Sequence, residues 1–126
     1  MMNKNYYTIV SSILFILVAL LHLVRALMGW EVAIGDYMLP VGRSWVVFGI
    51  ILCLGAWGIR GSKGYIVVSA ILFALVALLH LYRVLITETI IAIDSFVVPL
   101  SASWVGFVIS TALSAWGFLT YKAKTP

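Results

Sequence analysis

The sequence predicts an all-α membrane protein: a four-transmembrane-helix bundle of two parallel helical-hairpin repeats, with short extracytoplasmic capping loops. Three observations carry that prediction. Of 126 residues, 64% are hydrophobic and only 10% charged, with a mean hydropathy of +1.18, outside the balance of soluble domains. Four apolar stretches approach the length of about 20 residues that a helix needs to cross a hydrocarbon core. The second half of the chain repeats the first, so that residues 1–126 read as a single membrane domain with internal repeats 7–63 and 65–122.

The spans are expected near Tyr7 to Met28, Ser44 to Ile59, Tyr65 to Ile86 and Ser101 to Tyr121. The first is preceded by Lys4 but followed by Arg25, Gly29, Trp30 and Glu31, with no small-residue cleavage site, which argues against a signal peptide. The single cysteine, Cys53, lies inside the second span and leaves no intrachain disulfide to form. Lys4, Arg60, Lys63, Lys122 and Lys124 fall on one side with no acid among them. Arg25, Arg43 and Arg83 share the other side with Glu31, Asp36, Glu88 and Asp94. The positive-inside rule then puts both termini in the cytoplasm. Tyr6, Tyr7, Trp57, Tyr65, Trp116 and Tyr121 are expected in one interfacial belt, and Trp30, Trp45 and Trp104 in the other. The net charge of +4 comes from residues flanking spans rather than from a basic face with interleaved aromatics, which excludes nucleic acid.

Tyr7 to Asp36 aligns without gaps on Tyr65 to Asp94, and Pro40 to Lys63 aligns on Pro99 to Lys122 after one inserted residue. Each unit holds two spans, so the units point the same way about an axis along the membrane normal. The shared polar residues are His22 with His80, Arg25 with Arg83, Asp36 with Asp94 and Ser44 with Ser103. Trp45 with Trp104 and Ala56-Trp57-Gly58 with Ala115-Trp116-Gly117 also recur. The loops GWEVAIGDYMLP and TETIIAIDSFVVP alternate enough to admit short strands that pair across the pseudo-twofold axis. Pro40 and Pro99 break the chain before the next helix, and Ser44 and Ser103 are expected as helix-start residues.

The pattern LHLxRxLxGWEVxIGD, then Pro, then SW, is carried by His22, Arg25, Gly29, Trp30, Ile34, Pro40, Ser44 and Trp45. His80, Arg83, Ile93, Pro99, Ser103 and Trp104 carry it again. It resembles small uncharacterised bacterial two-span membrane proteins, here in tandem; the second half departs with Thr87 and Glu88 where the first has Gly29 and Trp30. The resemblance implies a bacterial origin, hence the inner membrane, and no chemistry.

Helical spacing puts Phe15, Val18, Ala19, His22 and Arg25 on one stripe, and Phe73, Val76, Ala77, His80 and Arg83 on its counterpart. Each histidine lies about 22 Å along its helix, in the outer third of the core, where ionisable residues face the interior. Three readings stay open. Parallel, diagonal first and third spans would set His22 and His80 opposite each other as axial ligands of one haem b, with Arg25 and Arg83 near its propionates. A structural cluster would bond the histidines to each other or to nearby backbone and pair Arg25 and Arg83 with Asp36 and Asp94. An open site would use both arginines for an anion or a lipid headgroup, as in a small transporter, channel or lipid-binding protein. A zinc site is weaker still, needing Asp36 and Asp94 to fold inward beside the histidines.

No catalytic residue is expected. No acid lies inside a span, and Ser11, Ser69, Ser110 and Ser114 have no base in reach and commonly bond their own backbone. Gly106, Ser110, Ser114 and Gly117 form a small-residue stripe, suited either to packing inside the bundle or to docking another copy or a larger membrane complex. The sequence thus favours a non-enzymatic accessory or assembly protein of the lipid bilayer.

Overall fold

The computed structural model describes residues 6–123; Lys4 and Lys124, counted above among the positive residues, lie outside the described residues. One order of elements occurs twice. The first half runs α1 (Tyr6–Met28), β1 (Val32–Ile34), β2 (Tyr37–Leu39) and α2 (Gly42–Ile59). The second runs α3 (Lys63–Tyr82), a π-helical turn (Arg83–Thr87), β3 (Ile91–Ile93), β4 (Phe96–Val98) and α4 (Leu100–Ala123). All four helices, α3 taken together with its π-helical turn, are long and apolar enough to cross a membrane.

Local chemistry sets the boundaries. α1 has no interior Gly or Pro and stops at Gly29, whose φ of 71° is left-handed and whose N–H donates to Arg25 O at 2.8 Å. Pro40 halts the strand before α2, and its carbonyl accepts from Arg43 N at 3.1 Å. Gly61, at φ 70°, closes the turn after α2, and the Ser62 hydroxyl caps α3 by accepting from Gly64 N. Ser44 and Ser103 do not start their helices: α2 begins at Gly42 and α4 at Leu100, so both serines sit within the first turn with their side chains turned inward.

The strands form one antiparallel sheet in the order β2-β1-β3-β4. Its centre pairs Val32 with Ile93, Ala33 with Ala92 and Ile34 with Ile91, so the strands do meet across the axis relating the halves. The ladder extends at each end through Gly35 N to Ile90 O (2.7 Å) and Asp94 N to Glu31 O (2.6 Å). These matched bonds put Asp94 at the place of Gly35, not of Asp36. The inserted residue is therefore earlier than the gapless alignment puts it. It lies in the π-helical turn, where Glu88 N donates to Arg83 O at 2.6 Å and Glu88 takes the left-handed φ of 46° that Gly29 takes in the first half. A helix absorbs one extra residue in this way without losing register beyond it.

At the end away from the sheet the halves interlock. Tyr7 and Tyr65, expected at an interface, are fully buried instead. Ser11 donates to Tyr7 O at 2.7 Å and Ser69 to Ile66 O at 3.1 Å. With those protons committed, each serine oxygen accepts from a tyrosine of the other half: Tyr65 donates to Ser11 and Tyr7 to Ser69, both at 2.7 Å. Each ring also rests on a glycine of the opposite hairpin, Tyr7 on Gly117 and Tyr65 on Gly58, with edge contacts to Trp116 and Trp57. Between this end and the sheet, Phe15 and Phe73 stack with centroids 5.2 Å apart, worth about 1 kcal/mol beyond their burial. α1 is flanked by α2 and α4, and α3 by the same two, so α1 and α3 are diagonal.

Candidate functional site

The sheet end holds the shared polar residues, and the arginines define it. Arg25 and Arg83 are each only 8% exposed. Arg25 donates through Nε to Trp30 O (3.0 Å), through Nη1 to Ser44 Oγ (2.8 Å) and through Nη2 to Leu39 O (2.8 Å). Arg83 repeats the pattern on Thr89 O (2.9 Å), Ser103 Oγ (2.9 Å) and Val98 O (2.9 Å), with a longer bond from Nη1 to Pro99 O (3.4 Å). One guanidinium thus joins the end of its own helix, both ends of the following β-hairpin and the first turn of the next helix. The planar fork suits this task because its N–H groups leave in fixed directions, and the carbonyls it reaches lie just before the first strand of each hairpin and at the last residue of the second.

The expected pairing of Arg25 with Asp36 and of Arg83 with Asp94 is not what holds the arginines. Asp36 and Asp94 are exposed in the two-residue turns at the far tips of the hairpins, and every arginine acceptor is a neutral oxygen. A two-residue turn explains this: it carries its side chains away from the sheet, so neither carboxylate folds inward to an arginine or to a zinc site. Asp94 there has a φ of 55°, the left-handed value that Gly35 supplies in the first half. Among the described residues no group of three or more potential ligands could hold a metal ion.

His22 and His80 are both half-buried. The His80 ring lies flat against α4, where a Cβ on Gly106 would stand 2.6 Å from both Cε1 and Nε2. It is thus a face of the ring that packs on the neighbouring helix of its own hairpin. No hydrogen bond joins the two imidazoles among the described residues.

The small-residue stripe also faces inward. Gly106 makes room for the His80 ring, Ser110 is buried, Ser114 donates to Ala70 O at 2.8 Å, and Gly117 receives Tyr7. The bundle uses the stripe for its own packing, which removes it as an outer docking face. The counterpart of Ser114 is Gly55, where α1 and α2 approach so closely that a Cβ would meet Ile16 at 2.8 Å.

Sequence reasoning missed the arginines' partners. Backbone carbonyls have no letter of their own; the only sequence signal was that Arg25 precedes Ser44 as Arg83 precedes Ser103, with one residue more. A second missed feature is a cavity of about 470 Å³ beside the second hairpin, lined among others by His80, Arg83, Thr87, Thr89, Ala102 and Ser103. No family model, curated protein or solved structure matches this chain.

Proposed function

We propose that the chain is a non-enzymatic integral membrane protein, an accessory or assembly component of the bacterial inner membrane, that arose by duplication of a two-span hairpin. Both termini face the cytoplasm, and the sheet caps the outer surface as a platform for a partner within a larger membrane complex. The observation that carries this reading is the use of both buried arginines to pin one shared sheet. The strongest polar groups at that end serve rigidity, each guanidinium tying its own helix to the following hairpin and the next helix. The Phe15–Phe73 stack and the crossed Tyr–Ser pairs fill the space between α1 and α3, which argues against a conduit there. Met38 at 52% and Val97 at 59% exposure supply apolar surface on the sheet suited to a protein contact.

Two arms test the proposal, both in a Cys53→Ser background. A membrane-impermeant thiol reagent on intact cells should label Asp94→Cys and spare Lys63→Cys; the reverse pattern would overturn the orientation. A photo-crosslinking residue at Val97 should give one discrete adduct that the same residue at Leu21, an outward-facing position 65% exposed on α1, does not give. Identical adduct patterns from both positions would overturn the platform role.

A further inference from the structure

The two halves differ where they should match. In the first, Arg43 lies beside the hairpin with its guanidinium over the Tyr37 ring, 5.5 Å from the centroid. The corresponding residue of the second half is Ala102, in the same turn of α4 and one residue before the serine that receives Arg83. The small side chain leaves the 470 Å³ cavity open at its flank, between the π-helical turn, β3, β4 and the start of α4. Its walls are mainly apolar, Val76, Ile91 and Val98 among them, with His80, Arg83 and Thr87 contributing a narrow polar margin. A guanidinium has five N–H donors, and the four acceptors of Arg83 are all neutral, so among the described residues a buried cation remains without a counter-charge and with a donor to spare.

The cavity has a continuation. A wholly apolar groove of about 660 Å³ runs along the outer face of α3, lined by Leu75, Leu78, Leu81 and Leu85 among others, and it shares Leu79 and Tyr82 with the cavity. A mainly apolar cavity with a basic, hydroxyl-bearing margin, joined to a greasy channel on an outward face, is complementary to one chemical class, an amphiphile with an anionic head and an acyl chain. A buried, uncompensated arginine favours the anion, since the alternative is a charge taken out of water unpaired.

We infer that the cavity beside Arg83 and the α3 groove together form a binding site for a single anionic phospholipid, its phosphate against Arg83 and His80 and one acyl chain along Leu79 and Leu75. The inference rests on the membrane reading, because the ligand enters sideways from the bilayer.

The test uses the full chain reconstituted into vesicles of equimolar phosphatidylglycerol and phosphatidylcholine, extracted in mild detergent and weighed with its retained lipid by native mass spectrometry. Wild type should retain one phosphatidylglycerol over phosphatidylcholine by about tenfold, a modest differential affinity for one charge-assisted contact. Ala102→Phe fills the flank while replacing none of the Arg83 acceptors and should abolish that preference, whereas Arg43→Ala in the first half leaves it intact. Arg83→Gln should abolish it too, but Ala102→Phe carries the test if that variant does not fold. Equal retention of both lipids by wild type, or an undiminished preference in Ala102→Phe, would overturn the site. So would loss of the retained lipid to inorganic phosphate alone, which would make the ligand a free anion. A chain that fails to float with vesicles would instead overturn the membrane reading, and that result is visible before any lipid is weighed.

Discussion

The first half ends α1 on a glycine and turns its hairpin on a glycine; the second meets the same two backbone demands with Glu88 and Asp94. Both non-glycine residues sit at positive φ, a conformation that costs a side-chain-bearing residue about 1 kcal/mol. The second half also carries one more residue and absorbs it in the π-helical turn, yet its arginine finds the counterparts of the same acceptors, to within about a tenth of an ångström on the matched bonds. Different local backbones thus converge on one clamp. What the architecture holds constant is the set of oxygens around each guanidinium, and what it lets vary is the path of the chain between them.

The largest way to break that equivalence is to remove the clamp. Arg25→Ala and Arg83→Ala should each cost about 3 kcal/mol or more in thermal unfolding in detergent, because several acceptors lose a charged donor together. Arg83→Lys should recover only a minor part, since an ammonium cannot reproduce the fork. At the opposite end, Gly58→Ala and Gly117→Ala should cost about 1–3 kcal/mol each: a Cβ would stand 2.6 Å from Tyr65 Cζ in one and 2.7 Å from Tyr7 Cζ in the other. Gly49→Ala is the control, with nothing within 4 Å of the new carbon, and should be neutral or gain slightly.

Smaller effects sharpen the comparison. Deleting Ile86 makes the second half match the first in length and should convert the π-helical turn to α-helix with a change within about 1 kcal/mol, followed by unfolding and by amide exchange at Glu88. Loss of the fold on that deletion would show the π-helical turn to be required rather than absorbed. Smallest of all, Asp36→Ala should change stability by no more than about 0.5 kcal/mol, as an exposed residue at a hairpin tip. Asp94→Gly should give a small gain by relieving the positive φ.

Much of this was legible in the sequence, for physical reasons. Four apolar runs with no room for an alternative fix the helices. The alternation in the loops, bounded by Gly and Pro, announced strands. The offset of the insertion was misread because the identity of Asp36 with Asp94 outweighed backbone geometry that has no letter: a left-handed residue can be Gly29 in one half and Glu88 in the other. Tyr7 with Ser11 and Tyr65 with Ser69 recur at helical spacing, but aromatic residues near the end of a span suit an interface as well as an interior, and only the opposing glycines decide. Histidines at matched depth suggested an iron site, whereas Gly106 directs the His80 ring onto α4. The arginines were expected near the interface with carboxylates, propionates or an anion as alternative partners, and their burial among carbonyls was not foreseen, since charged partners can be seen in a sequence and carbonyls cannot.

The most direct measurement of the clamp is a pair of double-mutant cycles on Arg83, one with Ser103→Ala and one with Asp94→Ala, by thermal unfolding in detergent. The account predicts a coupling of about 1 kcal/mol or more with Ser103, whose hydroxyl accepts from Nη1 at 2.9 Å, and coupling with Asp94 within about 0.3 kcal/mol of zero. Strong coupling to Asp94 with none to Ser103 would mean that the arginine is held by an ion pair after all, and would contradict the account.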